Sequence, residues 1–216
     1  MKNRLLGVWC WLLLSLPVSA QNWDIDLLRQ ANLQRNSVLD PTFRTLTNTA
    51  VPVVAIGTSL LLGSAYLGHD SLRRRQALSV AASVAATAVL TTLLKYAVHR
   101  PRPFVTYPDI QPLAEGGGPS FPSGHTSTAF GFATALSLNY PRWYVIAPAL
   151  VWAGSVGYSR LHLGVHYPSD VVTGAVLGAG TAFLNYKLNR YLARRYARPS
   201  RSSTNHRRQL GTSNRS

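Results

Sequence analysis

Three positively charged side chains lie within or at the ends of long apolar stretches. Lys95 interrupts one apolar stretch, Arg102 follows it between two prolines, and Arg160 stands where a later stretch ends. A cation within such a stretch is costly in a membrane and is a candidate for function. A guanidinium fork suits phosphate geometry, and an ammonium supplies a point charge. The three cations therefore predict a site for an anion with several oxygens.

Two histidines and an aspartate could supply reaction chemistry beside this anion. His166 and Asp170 are four residues apart at a predicted helix start, so one helical turn brings the carboxylate near the ring. A carboxylate on one ring nitrogen fixes the tautomer and leaves the other nitrogen free as a nucleophile. His125 could protonate a leaving group. We interpret two further histidines, His99 and His162, as structural or interfacial.

The segment around Ser123 is typical of a helix start. Ser123 is a candidate N-cap residue, and Gly124 allows a ligand to approach the backbone closely. Free amides at a helix N-terminus favour an anion. No cluster of acidic residues accompanies these groups, and a two-metal phosphatase site needs several carboxylate or histidine ligands. We therefore predict a site without metal or other cofactor, in which lysine and arginine take the metal's electrostatic role.

The composition excludes two classes of protein. The chain of 216 residues has 22 Lys+Arg against 7 Asp+Glu, a net charge of +15, yet only 13% of its residues are charged and 46% are hydrophobic. A soluble nucleic-acid-binding protein of this basicity carries more charge, and a disordered chain is less hydrophobic. The length suits one domain.

Five apolar stretches predict the helices that position the candidate site. They cover residues 50–68, 77–94, 126–138, 145–158 and 171–184. A helix needs ~20 mostly apolar residues to span a bilayer, which the first two provide alone and the others with flanking residues. Gly174 and Gly178 suit close helix contact in lipid. We predict an all-α integral membrane bundle of about five spans, with the membrane domain at residues 50–190; buried core helices are the alternative for the shorter stretches.

The two ends of the chain predict how this bundle is inserted. Residues 1–20 combine a basic start, a short apolar run and small residues up to Ala20, which is typical of a cleaved signal peptide; uncleaved, the segment would be a sixth span. Residues 21–49 would then be an external amphipathic segment, either a helix on the membrane surface or an ordinary packing helix. Arginines 73–75 and the basic tail, residues 191–216, which we expect to be disordered, favour the cytoplasmic side. The candidate site would then face the periplasm or exterior of the cytoplasmic membrane.

Three motifs together resemble a known signature. Lys95-x6-Arg102-Pro103, Pro122-Ser123-Gly124-His125 and Ser159-Arg160-x5-His166-x3-Asp170 are similar to the three-part signature of the type 2 phosphatidic acid phosphatase superfamily, over about residues 50–190. The resemblance implies a helical bundle that hydrolyses phosphate monoesters or diphosphates, often of lipids, without metal. By similarity His166 would attack phosphorus to form a phosphohistidine, Asp170 would orient it, and His125 would protonate the leaving oxygen. The remaining signature residues would hold the phosphoryl oxygens: Lys95, Arg102, Ser123, Gly124 and Arg160.

Three other functions fit part of the pattern. A soluble secreted acid phosphatase of the same superfamily would share the signal and the motifs, but residues 50–68 and 77–94 are long enough to span a bilayer. Vanadium-dependent haloperoxidases resemble the motifs but are usually larger and soluble. A non-enzymatic membrane protein would leave the cations and imidazoles without a role. We therefore predict a membrane phosphatase whose partner is a lipid phosphate rather than nucleic acid, with undecaprenyl diphosphate, phosphatidylglycerol phosphate, phosphatidic acid and lipid A phosphate as candidates.

Overall fold

In the part of the chain that the structure describes, every regular element is a helix. The structure is a computed structural model that describes residues 17–196, with side chains from 23 to 195, and it confirms the all-α prediction for that part. The helices are α1 (Pro17–Leu33), α2 (Asp40–Leu67), α3 (Ser71–Val98), α4 (Pro103–Thr106), α5 (Gly124–Asn139), α6 (Trp143–His162) and α7 (Pro168–Tyr196), with a 3₁₀ turn at Ser37–Leu39. Most of the predicted signal peptide and of the basic tail lies outside the described residues. Helix α1 runs through Ala20, and cleavage there stays a prediction.

Local sequence explains where the long helices begin and end. The Asp70 side chain caps α3 by accepting hydrogen bonds from the amides of Leu72 and Arg73. At the other end of α3, His99 adopts a positive φ of 51°, which stops the helix just before two prolines. Helix α2 has Asp40 in its first turn with proline next to it, and both favour a helix start. This start lies ten residues before the predicted apolar stretch, because the polar residues continue the same helix.

Helix α5 is the centre of the bundle. It packs against α2, α3, α6 and α7, and it is lined on all sides by small buried residues such as Ala129, Ala133 and Ala135. A helix that is apolar all round must be enclosed by other elements. Its position explains why this stretch is apolar although it is only 16 residues long.

Two glycines let α7 approach α5 at backbone distance. A Cβ at Gly174 would lie 2.8 Å from the carbonyl oxygen of Ser123, and a Cβ at Gly178 would overlap the carbonyl of Ser127 and lie 2.8 Å from the amide of Gly131. Only glycine fits at such a contact. The two helices therefore begin side by side, and the Ser123 amide donates to the carbonyl of Asp170 at 3.1 Å.

The outer surface of the bundle is apolar. Among the described residues, Ser37–Leu67 and Ser71–Thr106 are long and apolar enough to cross a membrane, and only 17% and 33% of their apolar windows are buried. A core helix of a soluble protein would be mostly buried. The other three predicted spans lie in α5, α6 and α7; α5 alone would reach about 24 Å at ~1.5 Å per residue, less than the ~30 Å of a bilayer core. The count of five spans stays a prediction.

Helix α1 packs onto the loops at one end of the bundle. Ile25 and Leu28 are buried against Ile110 and Tyr167, whereas Trp23 is 67% exposed. The side chain of Asn32 donates to the carbonyls of Gln111 and His162, both at 3.0 Å. Helix α1 therefore packs on the bundle along this face, and the external location of residues 21–49 stays a prediction.

Candidate active site

The predicted site residues gather at one end of the bundle. Lys95 lies at the end of α3 and Arg160 at the end of α6, while Ser123 and Asp170 stand at the starts of α5 and α7. The antiparallel course of successive helices brings these four ends together. The segment of residues 99–123 joins α3 to α5 and is fastened to the end of α6 by the amide of Leu113, which donates to the carbonyl of Leu163 at 3.0 Å.

His166 is held between a carboxylate and a guanidinium. Its Nδ1 lies 3.4 Å from Oδ2 of Asp170, and its Nε2 lies 3.4 Å from Nη1 of Arg102. Because the arginine can only donate, Nε2 accepts and the proton resides on Nδ1. Burial lowers the pKa of His166 to about 3, so the imidazole is neutral at neutral pH. The neutral ring turns its unprotonated Nε2 toward Arg102, and an unprotonated nitrogen is what a nucleophile requires.

Arg102 is fixed by backbone carbonyls of the surrounding loops. Its Nε donates to Gly118 at 3.0 Å, Nη2 to Gly117 at 2.9 Å and Nη1 to Val165 at 2.9 Å. No carboxylate neutralises it among these contacts, so its charge stays available to an anion. Gly116 leaves room for this guanidinium, since a Cβ there would lie 2.9 Å from Cδ of Arg102.

Lys95 and the start of α5 form the next part of the site. The Lys95 ammonium donates to the carbonyl of Pro119 at 2.6 Å, and a Cβ at Gly124 would lie 3.7 Å from its Cε. Ser123 stands at the N-cap position, but its hydroxyl accepts from Thr126 Oγ1 at 2.9 Å instead of capping a backbone amide. Ser123 is thus the N-cap residue, as predicted, although its hydroxyl does not cap a backbone amide. The first amides of α5 have no cap from Ser123 and remain open to an anion.

Arg160 is 2% exposed and borders a cleft. One nitrogen, Nη1, donates to the hydroxyl of Thr47 on α2, whereas Nε is buried without a partner among the described residues. An unpartnered buried donor is costly and points to a missing acceptor. The cleft has a volume of about 580 Å³ and is lined by Arg44, Asn48, Pro112, Leu113, Ala114, Glu115 and Arg160.

His125 and His162 have different surroundings. His125, in the first turn of α5, is half-buried and lies close enough to Arg160, Arg102 and Lys95 to feel their charges. His162 is 1% exposed, its Nε2 lies 2.7 Å from Oδ1 of Asp40, and its ring packs on Phe43. His162 is thus committed to packing, as its structural interpretation requires.

Sequence reasoning missed Arg100 and Asp24. Nη1 of Arg100 donates to Oδ1 of Asp170 at 2.8 Å, and its Nη2 donates to Oδ2 of Asp24 at 2.7 Å. No local spacing could have revealed these pairs, because Arg100 is 70 residues from Asp170 and 76 residues from Asp24 in the sequence. The one sequence signal was the position of Arg100 beside Arg102 in a segment that already held candidate site residues.

Comparison with known proteins supplies an independent measure of similarity. The model of the PAP2 superfamily matches residues 76–194. The lipid A 4'-phosphatase of Bacteroides thetaiotaomicron is 39% identical over 71 residues, which are 33% of this chain and 32% of that protein. This chain therefore spans about a third of that relative's length. The undecaprenyl-diphosphatase BcrC of Bacillus subtilis is 27% identical over 156 residues, 71% of this chain and 77% of that protein.

A solved structure has the same fold. The crystal structure of LpxE from Aquifex aeolicus superposes with a TM-score of 0.67 at 28% sequence identity, and the match covers 76% of this chain and 95% of that one. The similarity extends well beyond the motifs to the arrangement of the helices.

Proposed function

Because this chain belongs to the PAP2 superfamily, whose model matches more than half of it, we propose that it is a membrane phosphatase that hydrolyses a phosphate monoester or diphosphate of a lipid. The observation that supports this most is the setting of His166, with Nδ1 toward Asp170 and Nε2 toward Arg102. That geometry gives one nucleophilic nitrogen beside a guanidinium whose hydrogen bonds, within residues 23–195, include none to a carboxylate. His166 could attack a phosphoryl group placed between them while Arg102 holds its oxygens.

The first step forms a phosphohistidine. The Nε2 lone pair of His166 bonds to phosphorus while the bond from phosphorus to the leaving oxygen breaks. Asp170 accepts the Nδ1 hydrogen bond and stabilises the charge that develops on the ring. His125 gives a proton to the leaving oxygen, and the negative charge of the bound substrate favours this protonated form against the neighbouring cations. The lipid alcohol, or a lipid phosphate in the case of a diphosphate, departs.

The second step returns the enzyme to its starting state. A water molecule attacks the phosphohistidine, its proton passes to His125, and the bond between phosphorus and Nε2 breaks to release inorganic phosphate. Hydrolysis of phosphate monoesters is among the slowest uncatalysed reactions. Fixed donors must supply a large part of the stabilisation of the transition state, and we assign this role to Lys95, Arg102 and Arg160 together with the amides after Ser123.

The cleft beside Arg160 favours a substrate with a polar head larger than one phosphate. Arg44 and Asn48 are one turn apart on α2 and face the same cleft, opposite Glu115. This mixture of a cation, an amide and a carboxylate suits a second phosphate or a sugar that carries hydroxyl or amino groups. Diphosphates of polyprenols and the phosphorylated sugars of lipid A, which the names of the relatives mention, both have such heads.

The test is phosphate release by the purified protein in detergent, with EDTA present. The panel contains undecaprenyl diphosphate, lipid A, phosphatidylglycerol phosphate and phosphatidic acid. We expect release from at least one of these lipids, abolished in His166→Ala. A phosphohistidine is hydrolysed in acid but survives in alkali. When the reaction with labelled substrate is quenched with alkali, a labelled phosphoenzyme should therefore be trapped in the wild type and be absent in His166→Ala.

His99→Asn is the matched control, because His99 lies at the same end of the bundle and asparagine tolerates its positive φ. This variant should keep activity. Turnover in His166→Ala at the wild-type rate, or complete loss of activity in EDTA, would refute the proposed mechanism.

A further inference from the structure

Arg100 connects the carboxylate of Asp170 to the N-terminal helix. Its two terminal nitrogens bridge Asp170 at 2.8 Å and Asp24 at 2.7 Å, and its guanidinium carbon stacks 3.8 Å from the ring centroid of Tyr167. Asp170 is fully buried and uses Oδ1 for Arg100, while Oδ2 accepts from the amide of Tyr167 at 3.0 Å and faces His166. Each oxygen of the carboxylate therefore has an assigned partner, and the group cannot turn without breaking a charged hydrogen bond.

Asp24 is the residue that anchors this bridge on α1. It is 5% exposed, and besides Arg100 it accepts from the amide and the hydroxyl of Ser169, at 2.8 and 2.6 Å. A buried carboxylate is retained only when its charge and its hydrogen bonds are satisfied. Here they are satisfied by Arg100 and by the first turn of α7, one residue before Asp170. Asp24 thus fixes both the cation and the backbone that carry the Asp170 carboxylate.

We infer that Arg100 and Asp24 are positioning residues for the proposed reaction, and that α1 is part of the catalytic unit because it carries Asp24. Resting on the proposed function, the inference assigns them no contact with substrate. Their effect passes through Asp170: with Asp24 present, Arg100 is shared between two carboxylates and holds Oδ2 toward His166. Without Asp24, the full charge of Arg100 falls on Asp170, which weakens Asp170 as the acceptor for the imidazole.

The test compares Asp24→Asn and Arg100→Gln with the wild type. Asparagine keeps the size of Asp24 and one acceptor oxygen, but removes the charge that shares Arg100. Around metal-ligating histidines, loss of an outer hydrogen-bond partner typically costs about 10- to 100-fold, and we take the same scale for the outer partners of Asp170. We expect kcat to fall by about that factor while KM stays within about twofold, because the lost contacts are remote from the substrate. The double variant should be no slower than Arg100→Gln alone, since both changes break one bridge.

Arg29→Gln is the matched control for docking of α1. Arg29 also joins α1 to the loops, donating to Asp109 at 2.8 Å, but it does not touch Arg100, Ser169 or Asp170. It should leave kcat unchanged. If Arg29→Gln slowed turnover as much as Asp24→Asn, the effect would be general loosening of α1, and the inference would be wrong; it would also be wrong if Asp24→Asn kept the wild-type kcat.

A measurement without substrate separates this inference from the proposed function. In protein labelled with ¹⁵N-histidine, His166→Gln assigns the ring signals of His166. We expect the Nδ1–H resonance of His166 to shift or broaden in Asp24→Asn and Arg100→Gln but not in Arg29→Gln. A wild type that releases no phosphate, with this pattern intact, would refute the proposed function alone; an unchanged resonance in both bridge variants would refute the positioning role.

Discussion

At the scale of single residues, surroundings decide what a histidine can do. His166 and His162 both lie near an aspartate and are both about 1% exposed. The ring of His162 packs on Phe43, and its Nε2 is taken by Asp40. His166 keeps Nε2 for Arg102, and the pKa lowered by burial leaves that nitrogen unprotonated. Both histidines pair with an aspartate, and the contact with Arg102 is what supports the proposed nucleophilic role of His166 alone.

The role of His125 predicts a dependence on the leaving group. Replacement by alanine removes the proton donor, and general acid catalysis typically contributes about 10²- to 10⁴-fold. Turnover of a lipid monophosphate, whose alkoxide leaves poorly, should therefore fall by at least about 100-fold. p-Nitrophenyl phosphate should be affected much less, because nitrophenolate leaves without a proton. The measurement is kcat for both substrates in His125→Ala and wild type.

Equal loss on the two substrates would contradict a proton-donor role for His125. His69→Asn provides the control. His69 is an exposed histidine, and asparagine tolerates its positive φ of 52°. It should change neither rate.

The sequence could predict residues whose partners are near in the chain or in a recognised motif. His166 and Asp170 are one helical turn apart, so their pairing follows from spacing alone. The bridge from Arg100 to Asp24 joins residues that no periodicity relates, and Thr47 reaches Arg160 from 113 residues away. Such contacts depend on how the helices pack, which only the folded arrangement reveals.

At the scale of helices, the contact between α5 and α7 aligns the two halves of the candidate site. Ser123 to His125 begin one helix and Asp170 lies in the first turn of the other. Gly174 and Gly178 set the spacing between them. The pair of glycines predicted a close helix contact from sequence, but the sequence could not say which helix α7 would meet, because every other apolar stretch was a possible partner.

Gly178→Ala should destabilise the bundle and reduce activity. The added methyl group has no space between the α5 backbone and α7, and overpacking of this kind costs about 1–3 kcal/mol. We expect a lower thermal unfolding midpoint in detergent together with lower phosphatase activity, because the starts of α5 and α7 move apart. Gly180→Ala is the control on the same helix, since a Cβ there meets nothing within 4 Å. If both variants unfolded at the same temperature, the close contact would not be limiting for stability.

At the scale of the whole molecule, charge separates the two ends of the bundle. Arginines 73–75 begin α3, and Lys187, Arg190, Arg194 and Arg195 stand in the last turns of α7. These two segments share one end, since the Asn185 side chain donates to the carbonyl of Ser79 at 2.9 Å. The candidate site lies at the other end of the same helices. Apolar surface lies between the two ends. The bundle therefore has the basic residues of these two helices at one end, which is the asymmetry that the positive-inside rule uses to predict orientation.

This polarity predicts that the candidate site faces outward. Two single-cysteine variants are made in a Cys10→Ser background. Pro108→Cys places a cysteine at the site end and Ser71→Cys places one at the basic end, and both positions are exposed. A membrane-impermeant maleimide should label position 108 in right-side-out vesicles and position 71 in inside-out vesicles, because short basic segments stay on the cytoplasmic side. Vesicles opened with detergent should label at both positions, which controls for reactivity. The reverse pattern would place the candidate site in the cytoplasm and would contradict the predicted orientation.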